Sequence, residues 1–597
     1  MHSGTGVNGR IASIARFAEA RGLDQYLVPS SDEHLNEYVP PWRCRRAFAS
    51  NFDGSAGDLL VGRSGARLFT DGRYHIQARR QLQGTDIELV PVGRAGSPSL
   101  VEYLAEGGGR VGVDPMVVSN AAAGVLRDAL AGGGGELVAL DVNPVDEIWR
   151  DRPLPPVTKL HTLPSQWTGQ TSEAKVRLLR DRLVEHEVQA FVTSKLDQIA
   201  WLLNFRSADD VPFNPVFEAH LLFVREEAHL FLNGGATRLP AELPGWTVHA
   251  YERFHDFLAQ CAGERVLADP EGTSWGVVDL VERCGGTLVS AASPIEAAKA
   301  TKNSAEQECM ARANLRASAA KTRSLLWLRE AVRSGVPVTE AIFRDRLEAD
   351  YASLEGHWGL SFGTISAAGA HSAIAHYGTC DDTPLRTGEL FLIDSGVHNG
   401  GGTTDDTRTV AVGTADPVAR RVYTLVLKGH IQAAMARFPV GTPGTEIDAL
   451  ARGPLLAEGL DYDHGTGHGV GAFLNVHEGP FALAESARKS FAAHPLWSGM
   501  VTSIEPGYYR EGWGGVRLEN LYLVEECSDS SEPVLGFRCL TWIPFDSELV
   551  DRALLSTEEA HWFDVYQVEC CRKLADLLEA DERSALEAWV RCGGERA

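Results

Sequence analysis

Residues 390–410 read LFLIDSGVHNGGGTTDDTRTV, and the interpretation of the chain works outward from them. An apolar run ends at the carboxylate Asp394, a glycine-rich turn follows, and a second run starts at Asp405 and Asp406. Two such runs joined by glycines are typical of a β-hairpin, so the sequence predicts that two carboxylates meet there. Adjacent side chains of a strand point to opposite faces. Asp405 and Asp406 therefore cannot both face the site, and alternation does not say which of them does.

Four short motifs downstream carry more carboxylates and imidazoles among glycines and prolines: HGTGHGVG at 464–471, NVHEGP at 475–480, SIEPGYY at 503–509 and GVRLEN at 515–520. A purely structural role is the alternative for these residues, because Glu505 can belong to a simple turn and Glu519 can be a strand-edge charge. His464 and His468 have the spacing of a helical zinc pair, but the glycines between them disfavour a helix. Their joint occurrence favours a site over separate turns.

A metal centre is the chemistry that this combination predicts. Several carboxylates and an imidazole with no cysteine nearby form a hard, oxygen-rich donor set suited to Mn²⁺, Co²⁺ or Zn²⁺. Carboxylates in excess of one ion's needs favour two ions, about 3.5–4 Å apart as in binuclear hydrolases. Without cations, these acids could not all stay ionised in an enclosed site.

Composition restricts the remaining possibilities. The chain has 597 residues, too many for one core, and a formal net charge of −24. Such a charge repels phosphate backbones and anionic lipids, so we expect no nucleic-acid and no membrane partner. The ten cysteines are scattered, and no apolar run approaches the length of a membrane span. We therefore expect a cytoplasmic protein.

The first half of the chain alternates predicted helices and strands. Helices are expected at 11–20, 71–83 and 119–130, and strands at 25–29, 66–70, 87–91, 110–113 and 136–140. After a proline-rich linker at 152–170, a helix at 175–186 and a strand at 188–194 echo the first module, which predicts an internal duplication.

Capping signals mark helices in the second half. Ser304 with Gln307 predicts a capping box for a long helix reaching 332, and Ser556 with Glu559 begins a terminal helix. That helix has an apolar stripe at Trp562, Phe563 and Tyr566, which can dock on its own chain or on a second copy. Gly272 to Gly276 fits the G-x-S-x-G pattern of serine hydrolases. We interpret Ser274 as a helix N-cap instead, because Pro270 and Glu271 separate it from the preceding strand.

Together these motifs resemble the pita-bread metallopeptidases, and among them the aminopeptidase P (Xaa-Pro aminopeptidase) family in its long, three-domain form. Matching N-terminal motifs are CRRAF at 44–48, FDGSAG at 52–57, TDGRY at 70–74 and NPVF at 214–217. The resemblance implies an α/β (α+β) chain with two creatinase-like N-terminal α/β domains before a pita-bread catalytic domain. We expect the domains at 1–155, 156–300 and 301–538, with a C-terminal extension at 539–597 packed on the catalytic domain.

The resemblance also assigns roles to residues. It implies two divalent ions, Mn²⁺ first and Co²⁺ or Zn²⁺ as alternatives, and the implied ligands are Asp394, Asp405, His468, Glu505 and Glu519. The implied substrate-contacting residues are His376, His464 and His477, with Arg517 behind the ligands. Glu505 is the expected general base, His477 an oxyanion donor and His464 a backbone-orienting group. Asn399 and Gly401 depart from the aromatic and acidic residues common at these turn positions in the family, which puts the rigidity of the turn in question.

The implied activity is release of the N-terminal residue from peptides with proline second. A prolidase acting on Xaa-Pro dipeptides is the nearest alternative, and a non-enzymatic pita-bread binding module is a more distant one. Arg43, Arg45 and Arg46 are expected to pair with peptide carbonyls or carboxylates. The resemblance and the stripe of the terminal helix together predict a homodimer.

Overall fold

The computed structural model describes residues 6–485, 490–527 and 533–591. Two compact units make up the chain, the first containing Met1–Leu163 and Gln170–Glu296, and the second Pro164–Gly169 and Ala297–Ala597. Helices and strands are mixed in both, as predicted for the α/β class. The finer boundaries expected at 155/156 and 538/539 stay predictions.

Two six-stranded sheets of the first unit share one topology. In spatial order the first contains Ile87–Pro91, Gly65–Thr70, Asp58–Gly62, Gln25–Val28, Arg110–Val113 and Glu136–Ala139. The second contains Thr247–Ala250, Glu227–Leu232, Ala219–Val224, Ala190–Thr193, Arg265–Ala268 and Thr287–Ser290. In each sheet the third strand is antiparallel to both neighbours and all other neighbouring pairs are parallel. This identity supports the predicted duplication.

Helices cover the two sheets. They are Val7–Ala20, Arg45–Ser50, His75–Gln81, Leu100–Gly107, Asn120–Gly132, Pro144–Ile148, Ser172–Glu185, Leu196–Leu203, Phe254–Phe257 and Trp275–Arg283. A two-stranded pair joins His161–Thr162 to Phe205–Arg206, and Pro294–Ala300 runs across the unit boundary. The helix predicted from 71 starts at His75, because the Asp71 side chain accepts from the backbone N–H of Arg73 at 3.1 Å and forms a turn first.

Arg43 and Arg45, expected to pair with peptide groups, pair with carboxylates of their own unit. Arg43 pairs with Glu33 and Glu218 at 2.8 and 2.6 Å, and Arg45 pairs with Glu33 and Asp146 at 2.7 Å each. Arg46 Nη1 donates to the Gly57 carbonyl at 2.8 Å. A buried guanidinium must be neutralised or hydrogen-bonded where it lies, so these donors are engaged inside the first unit.

The second unit is built on antiparallel sheets. The largest contains, in spatial order, Phe438–Pro439, Val534–Cys539, Asn520–Glu526, Val501–Ile504, Gly467–Gly469 and Glu478–Leu483. Two three-stranded sheets contain Ile365–Ala368, Leu390–Ser395 and Asp406–Ala411, and His357–Leu360, Val397–Asn399 and Gly402–Thr403. A hairpin pairs Gly507–Arg510 with Gly514–Arg517. The candidate carboxylates lie at or beside the ends of these strands.

The helices of this unit are Ser165–Thr168, Ser304–Arg333, Glu340–Ala352, Pro417–Ala434, Gly444–Leu456, Thr557–Leu574 and Ala580–Arg591. The long helix has its capping box one residue earlier than predicted, because Asn303 accepts at the cap and Glu306 returns the bond. Asparagine caps as well as serine does, so the sequence carried two overlapping signals. The terminal helix predicted after Ser556 is confirmed, and Ser556 and Glu559 form its capping box.

The stripe of the terminal helix docks on its own unit. Phe563 and Tyr566 are buried there, and the Tyr566 hydroxyl lies 2.9 Å from the Ile543 carbonyl and from Arg408 Nη2. Trp562 packs beside Tyr566 with ring centroids 5.3 Å apart. The stripe is therefore occupied within the chain. Among the helices in the described ranges, none has both the length and the apolar character needed to cross a membrane.

Candidate metal centre

The predicted hairpin forms and carries the first two carboxylates. Strand Leu390–Ser395 pairs antiparallel with Asp406–Ala411, which sets Asp394 opposite Thr407. The glycine at 396 is needed because a Cβ there would lie 2.1 Å from the Thr404 carbonyl oxygen. The unusual turn residues are held as well. Asn399 donates to the Ala313 carbonyl at 3.3 Å, and a Cβ on Gly401 would meet Trp167 at 2.7 Å.

Asp405 and Asp406 diverge as strand alternation requires. Asp405 Oδ2 lies 3.4 Å from His468 Nε2. Asp406 turns the other way, and its Oδ1 accepts from the buried ammonium of Lys321 at 2.5 Å. The structure thus separates two neighbours that the sequence pattern left equivalent. Burial raises the pKa of Asp406, with Lys321 acting in the opposite direction.

The large sheet positions three more candidates: His468 lies in strand Gly467–Gly469, Glu505 directly follows strand Val501–Ile504, and Glu519 directly precedes strand Asn520–Glu526. His468 Nε2 lies 3.5 Å from Glu505 Oε1, and one ligand atom each from Asp405, His468 and Glu519 lies within 4.8 Å of the others. Glycine flanks His468 because the strands press together. A Cβ on Gly467 would lie 2.1 Å from the Ser503 carbonyl oxygen. Close backbone approach, rather than turn formation, explains the glycines of this motif.

A hydrogen-bonded layer holds the carboxylates. Arg517 Nη2 donates to Asp394 Oδ2 at 2.5 Å, its Nη1 donates to the Tyr509 hydroxyl at 2.7 Å, and its Nε donates to Thr407 Oγ1 at 3.2 Å. Thr407 Oγ1 in turn donates to Glu519 Oε2 at 2.7 Å. Sequence reasoning missed Thr407 and Tyr509. Thr407 was open to detection, because it lies two residues after Asp405 and so on the same strand face.

The electrostatics of the cluster call for a cation. Burial, followed by the charges of Asp394 and Glu505, raises the pKa of Asp405 well above its ordinary value. Burial and the charges of Asp405, Glu505 and Asp394 do the same for Glu519. Asp394 Oδ1 and Glu519 Oε1 are buried and find no hydrogen-bond partner among the described residues. Buried acceptors without donors are costly, and a divalent cation satisfies such oxygens.

The predicted histidines surround this cluster in different ways. The His477 ring stands edge-on to His468, with centroids 4.4 Å apart and an interplanar angle of 87°. His464 Nε2 lies 2.9 Å from the Tyr509 hydroxyl, so His464 and His468 approach different groups and do not act as a zinc pair. Burial raises the pKa of Tyr509 to about 12, with Arg517 opposing. Tyr509 therefore stays protonated at neutral pH.

His376 is half-buried, and its loop is bonded to Arg517. The preceding carbonyl, that of Ala375, accepts from Arg517 Nη2 at 3.2 Å. The buried Glu340 carboxylate fixes the same loop, since it lies 2.8 Å from the Tyr377 hydroxyl and 2.9 Å from His371 Nδ1. Sequence reasoning did not identify this anchor, because Glu340 lies 36 positions before His376 and on a helix.

The interpretation of Ser274 as a helix N-cap, and not as a serine-hydrolase nucleophile, is confirmed. Ser274 is the N-cap of helix Trp275–Arg283, and its hydroxyl accepts from the backbone N–H of Val277 at 3.4 Å. It is also buried.

Comparison with known proteins finds relatives over the whole chain. Residues 308–526 match the model for metallopeptidase family M24, and 533–591 match the C-terminal region of that family. Residues 10–148 and 151–306 each match a creatinase/prolidase N-terminal domain.

Individual relatives match end to end. A probable Xaa-Pro aminopeptidase P of Pyricularia oryzae is 38% identical, with 97% of this chain and 98% of the relative covered. Aminopeptidase P2 of Arabidopsis thaliana is 37% identical over 98% of this chain and 88% of its own length. Among solved structures, the X-prolyl aminopeptidase of Caenorhabditis elegans superimposes with a TM-score of 0.92 at 32% identity, over 98% of this chain and 99% of that one. That protein is described as a cytosolic enzyme with a di-nuclear active site.

Proposed function

Because the chain belongs to metallopeptidase family M24, and within it to the Xaa-Pro aminopeptidases, we propose that it releases the N-terminal residue from peptides with proline in second position. Membership makes the chain a metal-dependent aminopeptidase, a hydrolase. The proposed substrates follow from the names of the full-length relatives. The observation that carries the proposal is the cluster itself, in which buried carboxylate oxygens of Asp394 and Glu519 have no hydrogen-bond partner among the described residues.

The donor set fits two divalent ions. We assign Asp394, Asp405, His468, Glu505 and Glu519 as the residues that would hold them. The raised pKa values of Asp405 and Glu519 support this assignment, since each carboxyl is disfavoured as an anion until a cation is present. We propose Mn²⁺ as the resident ion, with Co²⁺ or Zn²⁺ as alternatives, because the donors are mostly carboxylates. When bound, such ions supply an acidified water and polarise the scissile carbonyl.

Glu505 is the proposed proton carrier. Its side chain is more exposed than that of Glu519, so it is the carboxylate of this pair that a substrate can reach. Ser503 Oγ lies 3.4 Å from Glu505 Oε1 and helps to orient it. In the proposed reaction, a Glu505 oxygen takes a proton from the attacking water and delivers it to the leaving proline nitrogen.

The histidines and Arg517 complete the proposed site. His477 donates to the oxyanion that develops at the scissile carbonyl, and His464 and His376 orient the peptide backbone. Arg517 holds Asp394 and Tyr509, so we assign it a supporting role behind the ligands and the substrate. Tyr509 links Arg517 to His464 by two hydrogen-bond distances of 2.7 and 2.9 Å.

Three further proposals concern the protein as a whole. We propose a cytoplasmic location, because the structural relative is described as cytosolic, and no nucleic-acid partner, because of the net charge of −24. We also propose a homodimer. Its support is now the resemblance alone, because the stripe of Trp562, Phe563 and Tyr566 packs within its own unit.

Metal analysis with a cleavage assay tests the proposed function. Purified protein should contain about two divalent ions per chain and cleave an Xaa-Pro-Xaa tripeptide. Chelation should abolish cleavage, and added Mn²⁺ or Co²⁺ should restore it. Full activity in protein stripped of metal would contradict the proposal.

A further inference from the structure

A buried cluster of three charged side chains lies beside the proposed site in the second unit. Lys299 Nζ donates to Glu478 Oε2 at 2.8 Å, and Lys302 Nζ donates to Glu478 Oε1. All three side chains are at most 1% exposed. One carboxylate is thus shared by two ammonium groups. We call Lys299, Lys302 and Glu478 the lysine clamp.

Stability does not explain the lysine clamp. Removing three charges from water is expensive, and well-packed apolar side chains often stabilise a fold at least as well as a buried ion pair. Burial lowers the pKa of Lys302, with Glu478 opposing, which agrees with a desolvated cluster. Unlike apolar packing, the charged arrangement orients the Glu478 side chain, since each ammonium fixes one carboxylate oxygen.

Fixing Glu478 also fixes its sequence neighbour, His477. Glu478 begins strand Glu478–Leu483 and pairs with Gly469 at a register shift next to His468. The two strand backbones are tightly packed there, because a Cβ on Gly469 would lie 2.3 Å from the Glu478 carbonyl oxygen. His477 immediately precedes this fixed point, and its ring stands edge-on to His468. A shift of Glu478 would therefore move the His477 imidazole.

We propose that Lys299, Lys302 and Glu478 are positioning residues that hold His477 at the scissile carbonyl. This inference rests on the proposed function, in which His477 donates to the developing oxyanion. The lysine clamp acts through His477 and touches neither substrate nor metal. The motif at 475–480 contains Glu478 but does not indicate a role for it, because both lysines lie almost 180 positions away.

The composition of the lysine clamp makes it testable without unfolding the protein. Lys302→Met leaves Lys299 to neutralise Glu478, and Lys299→Met leaves Lys302, so Glu478 keeps a counter-charge in either variant. We expect each to lower kcat about 10-fold, since small misplacements of a reacting group cost one to two orders of magnitude. KM should change less than about two-fold and the metal content should stay at that of the wild type, because no ligand is altered.

A double-mutant cycle assigns the loss to His477. In a His477→Ala background, Lys302→Met should change kcat by less than about two-fold, because the group that it positions is gone. Lys428→Met is the matched control. Lys428 bonds Glu559 at 2.6 Å in the same unit, and its removal should leave kcat unchanged. Equal losses from Lys302→Met in both backgrounds, or losses that follow metal content, would overturn the inference.

Crystal structures of metal-free wild type and Lys302→Met provide a readout that needs no activity. Wild type should keep the His468 and His477 ring centroids about 4.4 Å apart and edge-on, and the variant should show His477 displaced or in several rotamers. An unmoved His477 ring in the variant would refute the positioning role of the lysine clamp, even if the protein cleaved no peptide. Wild-type cleavage of Xaa-Pro-Xaa peptides separately tests the proposed function.

Discussion

Asp405→Asn and Asp406→Asn should change the stability of the metal-free protein in opposite directions. Burial and the charges of Asp394 and Glu505 raise the pKa of Asp405, so its anion opposes folding at neutral pH. Asparagine removes that anion with little change in shape. We therefore expect Asp405→Asn to raise the melting temperature of protein stripped of metal.

Burial raises the pKa of Asp406 as well, but Asp406 differs from Asp405 because it neutralises a buried ammonium. Its partner Lys321 is fully buried, at 0% side-chain exposure, and after Asp406→Asn its ammonium keeps a backbone carbonyl at 2.6 Å but no counter-charge. Removing one partner of a buried pair costs about 3–5 kcal/mol. At about 2 °C per kcal/mol for a unit of this size, the melting temperature should fall by about 6–10 °C.

Thermal unfolding and metal analysis of the two variants check these expectations. Asp405→Asn should lose bound metal and at least about 10³-fold in kcat, because it removes one of the proposed ligands. Asp406→Asn, assayed below its melting temperature, should keep both metals and most activity. Adding Lys321→Met to Asp406→Asn removes the stranded ammonium and should recover part of the lost stability. A destabilised but active Asp405→Asn, with an inactive Asp406→Asn, would show that the two acids have been assigned to the wrong faces.

Three further predictions follow from the same contacts. Asp405 and Glu519 have raised pKa values, so at pH values above the ordinary carboxyl range the folded metal-free protein binds more protons than the unfolded chain. Its free energy of unfolding should therefore increase as the pH falls from 8 to 6. A flat or opposite profile in calorimetry would contradict this. Chelation should lower the melting temperature of the wild type, and Mn²⁺ should restore it in proportion to the metal regained; no shift would mean that the ions contribute nothing to folding. Light scattering at micromolar concentration should give the mass of a dimer, and a mass of 64.7 kDa would show a monomer.

Local sequence patterns were sufficient for the elements that carry strong periodic or capping signals. The hairpin from 390 to 411, the N-cap at Ser274 and the terminal helix after Ser556 form as predicted, because each depends on residues close together in the sequence. The buried strand Asp58–Gly62 was missed. It is short, and four of its five residues are buried, so it shows no alternation of apolar and polar side chains.

Long-range contacts are what the sequence could not supply. Alternation left Asp405 and Asp406 equivalent, and they are told apart by distant partners: His468 lies beside Asp405, and Lys321, 85 positions before Asp406, bonds Asp406. Arg43 was expected to serve a substrate, and its carboxylate partner Glu218 lies 175 positions further along the chain. Charge pairs of this kind are set by tertiary packing and leave no local pattern to detect.

The most direct test of the central claim compares three substrates on one preparation of metal-loaded protein. An Xaa-Pro-Xaa tripeptide, the Xaa-Pro dipeptide and an Xaa-Ala-Xaa tripeptide should be assayed for kcat/KM under the same conditions. We expect the proline tripeptide to be cleaved best and the alanine tripeptide to fall sharply below it, since the site discriminates at the second residue. A clear preference for the free Xaa-Pro dipeptide would contradict the aminopeptidase assignment and indicate a prolidase.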